Sequence, residues 1–119
     1  MAVKDYRKIQ VWWRSHDLTV EIYRLTKLFP KDEMFGLTSQ MRRAASSIPA
    51  NIAEGAGWEG DFEFKRFLII ALGSASELDY FILLGHELGY IEPTAAKQAA
   101  AEILEIRRML GGFVQKLKA

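Results

Sequence analysis

The stretch Gln40 to Gly57, QMRRAASSIPANIAEGAG, decides the fold, because two helical faces and a proline coexist in it. Met41, Ala44, Ala45, Ile48 and Ile52 recur at the 3.6-residue period on one face. Arg43, Ser47, Asn51 and Glu54 follow one another at steps of three or four on the neighbouring face. Pro49 removes the amide that would bond the carbonyl of Ala45, so the helix kinks there or restarts with Pro49 in its first turn. A helix with one apolar face has to lay it on other elements.

Those elements are helices too. Upstream, Val11, Leu18, Ile22, Leu25 and Phe29 are spaced for one buried stripe, which predicts a helix from about Ile9 to Phe29, ended by Pro30. Thr38 is the expected N-cap of the Gln40 helix. Gly55, Gly57 and Gly60 then break the chain, and Asp61 caps a long third helix that runs to about Leu88 and stops at Gly89. Pro93 suits the first turn of a fourth helix with a stripe of Ala96, Ala100, Ile103, Ile106, Leu110, Phe113 and Leu117. No strand signal of comparable length, repeat or low-complexity segment competes. The expected fold is therefore all-α, an antiparallel up-down four-helix bundle with its second helix kinked near Pro49, formed as one domain over residues 1–119.

The third helix is apolar over more than one stripe, through Phe62, Phe67, Leu68, Ile69, Ile70, Leu72, Leu78, Phe81, Ile82, Leu83, Leu84 and Leu88. That width predicts the most buried helix, covered on more than one side, and the small run Gly73, Ser74, Ala75, Ser76 would let another helix approach closely. Trp12 and Trp13 point about 100° apart, so both cannot reach one small core. The surplus apolar surface reads as a subunit interface, with a simple large monomer core as the alternative.

Composition bounds the function. A chain of 119 residues buries roughly two thirds of its unfolded surface and folds without staples. The absence of cysteine excludes a disulfide framework and thiolate zinc sites and suits a reducing cytoplasm. The N-terminus lacks an apolar leader, and no window reaches the ~18 uninterrupted apolar residues of a membrane span, so neither export nor a membrane partner is expected. The net charge of +1 is unevenly spread: residues 1–30 carry six bases against three acids, 93–119 five against two, and 61–92 two against six. First and last helices are neighbours in an up-down bundle, so their basic excess can merge into one surface.

Catalytic chemistry does not announce itself. His16 with Asp17 and Glu21, and His86 with Glu87, lack the paired spacing of helical metal sites, so no metal or cofactor is expected. Ser46 and Ser47 have no base nearby in sequence, and Gly55, Gly57 and Gly60 follow a helix and lack a phosphate-loop lysine. The polar stripe of Arg43, Ser47, Asn51 and Glu54, with Glu77 as its partner on the third helix, reads first as a structural seam, with a solvated face or a ligand site as alternatives. Lys4, Arg7, Lys8 and Arg14 interleave with Tyr6, Trp12 and Trp13, and Arg107 and Arg108, extended by Lys116 and Lys118, stand ready to widen the patch, a mixture suited to phosphates and bases. The competing reading is a solvated helical face with core aromatics.

The stretches Trp12–Pro30, Phe35–Gly57 and Phe64–Ile91, and above all SIPANIAEG at Ser47–Gly55 and RFLIIALGSASEL at Arg66–Leu78, resemble the ribosomal RNA intervening-sequence protein family. The resemblance spans nearly the whole chain. It implies a small bacterial cytoplasmic protein of a family in which many members have no established activity, a four-helix bundle assembled as a ring-shaped homopentamer. Through the related accessory protein of diversity-generating retroelements it also implies RNA or DNA and a reverse transcriptase as partners. A non-catalytic oligomer that binds nucleic acid through Lys4, Arg7, Lys8, Arg14, Arg107 and Arg108 is the resulting expectation, with a protein-binding scaffold as the alternative.

Overall fold

A computed structural model describes residues 4–117. It contains four helices, α1 Gln10–Thr26, α2 Leu37–Ala56, α3 Asp61–Glu87 and α4 Pro93–Lys116, with short 3-10 turns at Tyr6–Lys8 and Lys31–Glu33 and no strand among the described residues. Helix α1 packs on α2, α2 on α3, α3 on α4, and α4 closes back on α1. Both ends show the alternation of direction. At one end the Lys4 amide donates to the Ala56 carbonyl at 3.1 Å, and Phe64 at the start of α3 meets Phe113 near the end of α4, centroids 5.2 Å apart. At the other end Phe29 lies 5.2 Å from Tyr90, whose hydroxyl donates to the Glu33 carboxylate at 3.0 Å. The protein is an all-α bundle with neighbouring helices running up and down, and one continuous core collects side chains from all four.

Helix ends follow local chemistry. Helix α1 stops at Thr26, short of Phe29, because the residue before Pro30 is pushed out of the helical region. Phe29 still turns into the core. Thr38 is not the cap of α2: it is buried one residue inside the helix with no partner for its Oγ1, and the Glu33 carboxylate accepts the Leu37 amide at 3.1 Å instead. Asp61 is the first residue of α3 rather than its cap, a favourable place for a carboxylate in the field of the first turn, and Gly60 ahead of it takes φ 83°. Gly89, at φ 81°, ends α3: its own amide bonds the His86 carbonyl at 3.0 Å and that of Tyr90 the Gly85 carbonyl at 2.9 Å.

Helix α2 runs unbroken through Pro49, which removes the restart alternative. The carbonyl of Ala45, deprived of its helical donor, is met from α1 by the Thr19 hydroxyl at 3.1 Å, a group that also reaches Ser15 O at 2.8 Å. Gly55 does not break the chain either. It lies inside α2, and a Cβ there would sit 2.8 Å from the Phe67 Cβ and 3.0 Å from a Phe64 ring carbon, so the α2–α3 approach needs glycine. Half of the twenty residues of α2 are buried against eight of the twenty-seven in α3, so α2 and not α3 is the most buried helix. The wide apolar arc of α3 is real, but two helices flank it and its third side faces out. By length and composition α3 alone among the described helices could cross a membrane, and 33% of its apolar window is buried inside the bundle.

Candidate functional site

The polar face of α2 meets α3 through serines. Ser47 and Ser74 share a hydrogen bond of 2.7 Å, and the Asn51 amide donates to Ser47 O at 2.7 Å and to Ser47 Oγ at 2.9 Å. Arg43 and Glu77 line the same shallow depression of about 180 Å³ without forming an ion pair, and Glu54 is exposed on α2, where its charge acts on Arg66 of α3. Ser74 is the seam residue that sequence spacing missed. Its signal was present in the small run on α3, whose Gly73 faces open space.

Of the six basic residues, three are already engaged by acids. Arg14 forms a two-pronged pair with Glu102, Nε to Oε2 at 2.8 Å and Nη2 to Oε1 at 2.7 Å, which ties α1 to α4. That hydrogen bond holds the Arg14 pKa above its ordinary value. Arg7 lies 3.5 Å from the Asp5 carboxylate, and Arg108 donates to Glu105 one turn earlier at 2.8 Å. Lys4 sits over the Phe64 ring, 4.8 Å from its centroid. Only the side chains of Lys8 and Arg107 among the six are unpaired among the described residues. Lys118 lies outside those residues. The α1–α4 adjacency expected from charge is present, but its cations largely neutralise local acids.

Beside this patch the aromatics of α1 form their own stack. Trp12 is half-buried, with Tyr6 edge-on at 4.8 Å and His16 parallel to it at 5.0 Å. Trp13 is 47% exposed and donates through Nε1 to the Arg7 carbonyl at 2.7 Å. His86, at the far end, faces the Ile91 carbonyl at 3.2 Å; a carbonyl only accepts, so Nδ1 carries the hydrogen there. No group of three or more potential metal ligands exists among the described residues.

The outer face of α3 is the most distinctive surface. Phe62, Ile69, Tyr80 and Leu83 follow one another at heptad-like spacing, each at least half exposed, with the open Gly73 between them. Tyr80 and Leu83 border a groove of about 550 Å³ between α3 and α4.

No curated protein matches this chain. Among solved structures it is similar to a protein of unknown function from the S23 ribosomal protein family of Bacteroides thetaiotaomicron VPI-5482. The two share 27% identity over 89% of this chain and 96% of that one, with a TM-score of 0.82. The model of the 23S rRNA-intervening sequence protein family matches residues 7–112, from the Arg7 turn to the last turns of α4. The match takes in the proline-bearing second helix, the serine seam and the apolar outer face, and the chain belongs to the 23S rRNA-intervening sequence protein family.

Proposed function

We propose that this protein is a non-catalytic helical module that self-assembles, with the homopentamer implied by its resemblance as the expected stoichiometry. The observation that carries the reading is the outer face of α3. Phe62, Ile69, Tyr80 and Leu83 leave large apolar side chains in water along one face of α3, in two groups separated by Gly73 and Ser76, and burying such surface gains about 25 cal/mol per Å². Trp13 and Tyr23 on α1 add exposed aromatic surface for the same purpose. Light scattering at micromolar concentration tests the reading: a mass several times 13.6 kDa supports it, and a mass near 13.6 kDa ends it.

A second reading adds nucleic acid, because the family name sets an RNA context, Lys8 in the turn before α1 and Arg107 on α4 are unpaired among the described residues, and Trp13 is exposed on α1. Binding of this kind is weak, sequence-tolerant and salt-dependent, and a ring multiplies it by repetition. Titration of labelled RNA at several salt concentrations tests it. Lys8→Glu with Arg107→Glu weakens every sequence about equally, and absence of binding at low salt by an intact oligomer leaves the scaffold alone. A reverse transcriptase as partner and a cytoplasmic location rest on the resemblance and on the cysteine-free composition, and co-purification and fractionation test them.

A further inference from the structure

Two complementary features stand at one end of the bundle on opposite faces. On the α1–α2 face, the turn leading into α2 presents Phe35, 96% exposed, beside a depression of about 340 Å³ that Tyr23, Arg42 and Arg43 also line. Arg42 is held in place: its Nε donates to Thr26 Oγ1 at 2.8 Å and its guanidinium lies 4.7 Å from the Tyr23 ring centroid. On the α3–α4 face, the groove of about 550 Å³ has Tyr80 and Leu83 on one wall and Ala96 and Ala100 on the other, with Asp79 and Lys97 among its lining. The alanines keep one wall low, and Tyr80 and Leu83 stay about half exposed because nothing among the described residues fills the space.

In the four-helix square the α1–α2 and α3–α4 faces point in different directions, so neighbouring copies with parallel helices can bring one face against the other. The heights agree as well. Phe35 follows the Lys31–Glu33 turn, and Glu33 is bonded to Tyr90, which lies just beyond the α3 residues of the groove.

We propose that Phe35 of one copy seats in the α3–α4 groove of the next copy, a head-to-tail contact between unlike faces. It rests on the self-assembly reading and names the two surfaces that would meet. Charge supports the pairing in both signs: Arg42 and Arg43 beside the ring find Asp79, and Asp32 in the turn before it finds Lys97. A contact between unlike surfaces closes into a ring when the rotation from copy to copy divides a full turn without a rise, and otherwise propagates as a filament.

The chain contains no cysteine, so introduced thiols report the contact directly. Phe35→Cys and Leu83→Cys are combined in one chain, made singly, and the two single variants mixed, each treated with a short bismaleimide. The doubly substituted chain gives a ladder of covalent oligomers, the mixture gives dimers only, and neither single variant links to itself. Phe35→Glu, at an exposed position, keeps the helical signal and melting temperature while the mass falls to 13.6 kDa; loss of assembly in Phe35→Cys alone counts the same way. Self-linking of a single variant means like faces meet and overturns the proposal. An intact oligomer with no link in the mixture, or an unchanged mass for Phe35→Glu, overturns it too and leaves the groove to another occupant. Both of those outcomes spare the self-assembly reading, which falls only if the unmodified protein is a monomer.

Discussion

On its inner side α3 meets α2 at Gly55, which admits Phe64 and Phe67 to van der Waals distance, and at the bond between Ser47 and Ser74. On its outer side Phe62, Ile69, Tyr80 and Leu83 stand exposed around an open Gly73. Both sides carry large apolar side chains, yet inside Phe64, Phe67, Leu68 and Leu78 are buried where Gly55 admits the rings and Ser47 pairs with Ser74, and outside the large side chains face water. A small residue marks a helix contact only where a neighbour's side chain fills its space, as at Gly55 and not at the open Gly73. Large exposed ones mark surface still to be covered.

Substitutions at the inner face have the largest expected effect. Gly55→Val drives three added carbons into the rings of Phe64 and Phe67, and the cost is about 3 kcal/mol, seen as a steep fall in thermal midpoint; a midpoint within a degree of the parent breaks the close-approach argument. Next comes Thr19→Val, which keeps the shape but leaves the Ala45 carbonyl without its donor, at about 1–3 kcal/mol by chemical denaturation. Ser47→Ala, Ser74→Ala and the double variant form a cycle whose coupling is about 1 kcal/mol, and a coupling of zero removes the seam as a source of register.

Smaller effects lie at the bundle end and outside. The hydrogen bond to Glu33 raises the Tyr90 pKa above its usual value near 10. A raised folded-state value means that this contribution is complete below pH 10 and is lost as pH climbs through the folded pKa. Tyr90→Phe therefore flattens the alkaline decline in melting temperature and changes little at neutral pH. Ile69→Ser on the outer face shifts monomer stability by no more than about 0.5 kcal/mol while lowering the assembled fraction. A large loss of monomer stability there would show that the outer strip is core after all.

The number of helices, their order, the stops at Pro30 and Gly89 and the start at Pro93 were legible because periodicity and backbone restriction are local properties. The arc of α3 was legible as well, but not what covers it: α2, with shorter side chains, turned out more deeply buried. Partners across helices were not legible. Arg14 reads as a free cation until Glu102, 88 positions away, is brought beside it, and Glu77 reads as the natural partner of Arg43 until Ser74 is found one turn before it on the facing side. Thr38 had the residue type of a cap, yet the α2 start lies at Leu37 and a carboxylate from the preceding turn takes the task. Gly55 illustrates the same gap, since glycine as hinge and glycine as contact point look alike until the neighbouring rings are placed.

The hydroxyl that Thr19 extends to Ala45 makes the second helix dependent on the first for completing its own backbone. In isolation a chain segment spanning α2 carries an orphaned carbonyl in its middle turn and gains nothing there from being helical. Once α1 is docked, the deficit becomes a bond between the two, so Pro49 ties the helicity of one element to the presence of another. Cooperativity is thus written into a single residue that locally opposes order. Hydrogen exchange makes it visible: in Thr19→Val the α2 amides flanking Pro49 open well before those of α3, whereas in the parent protein both protect to the same degree.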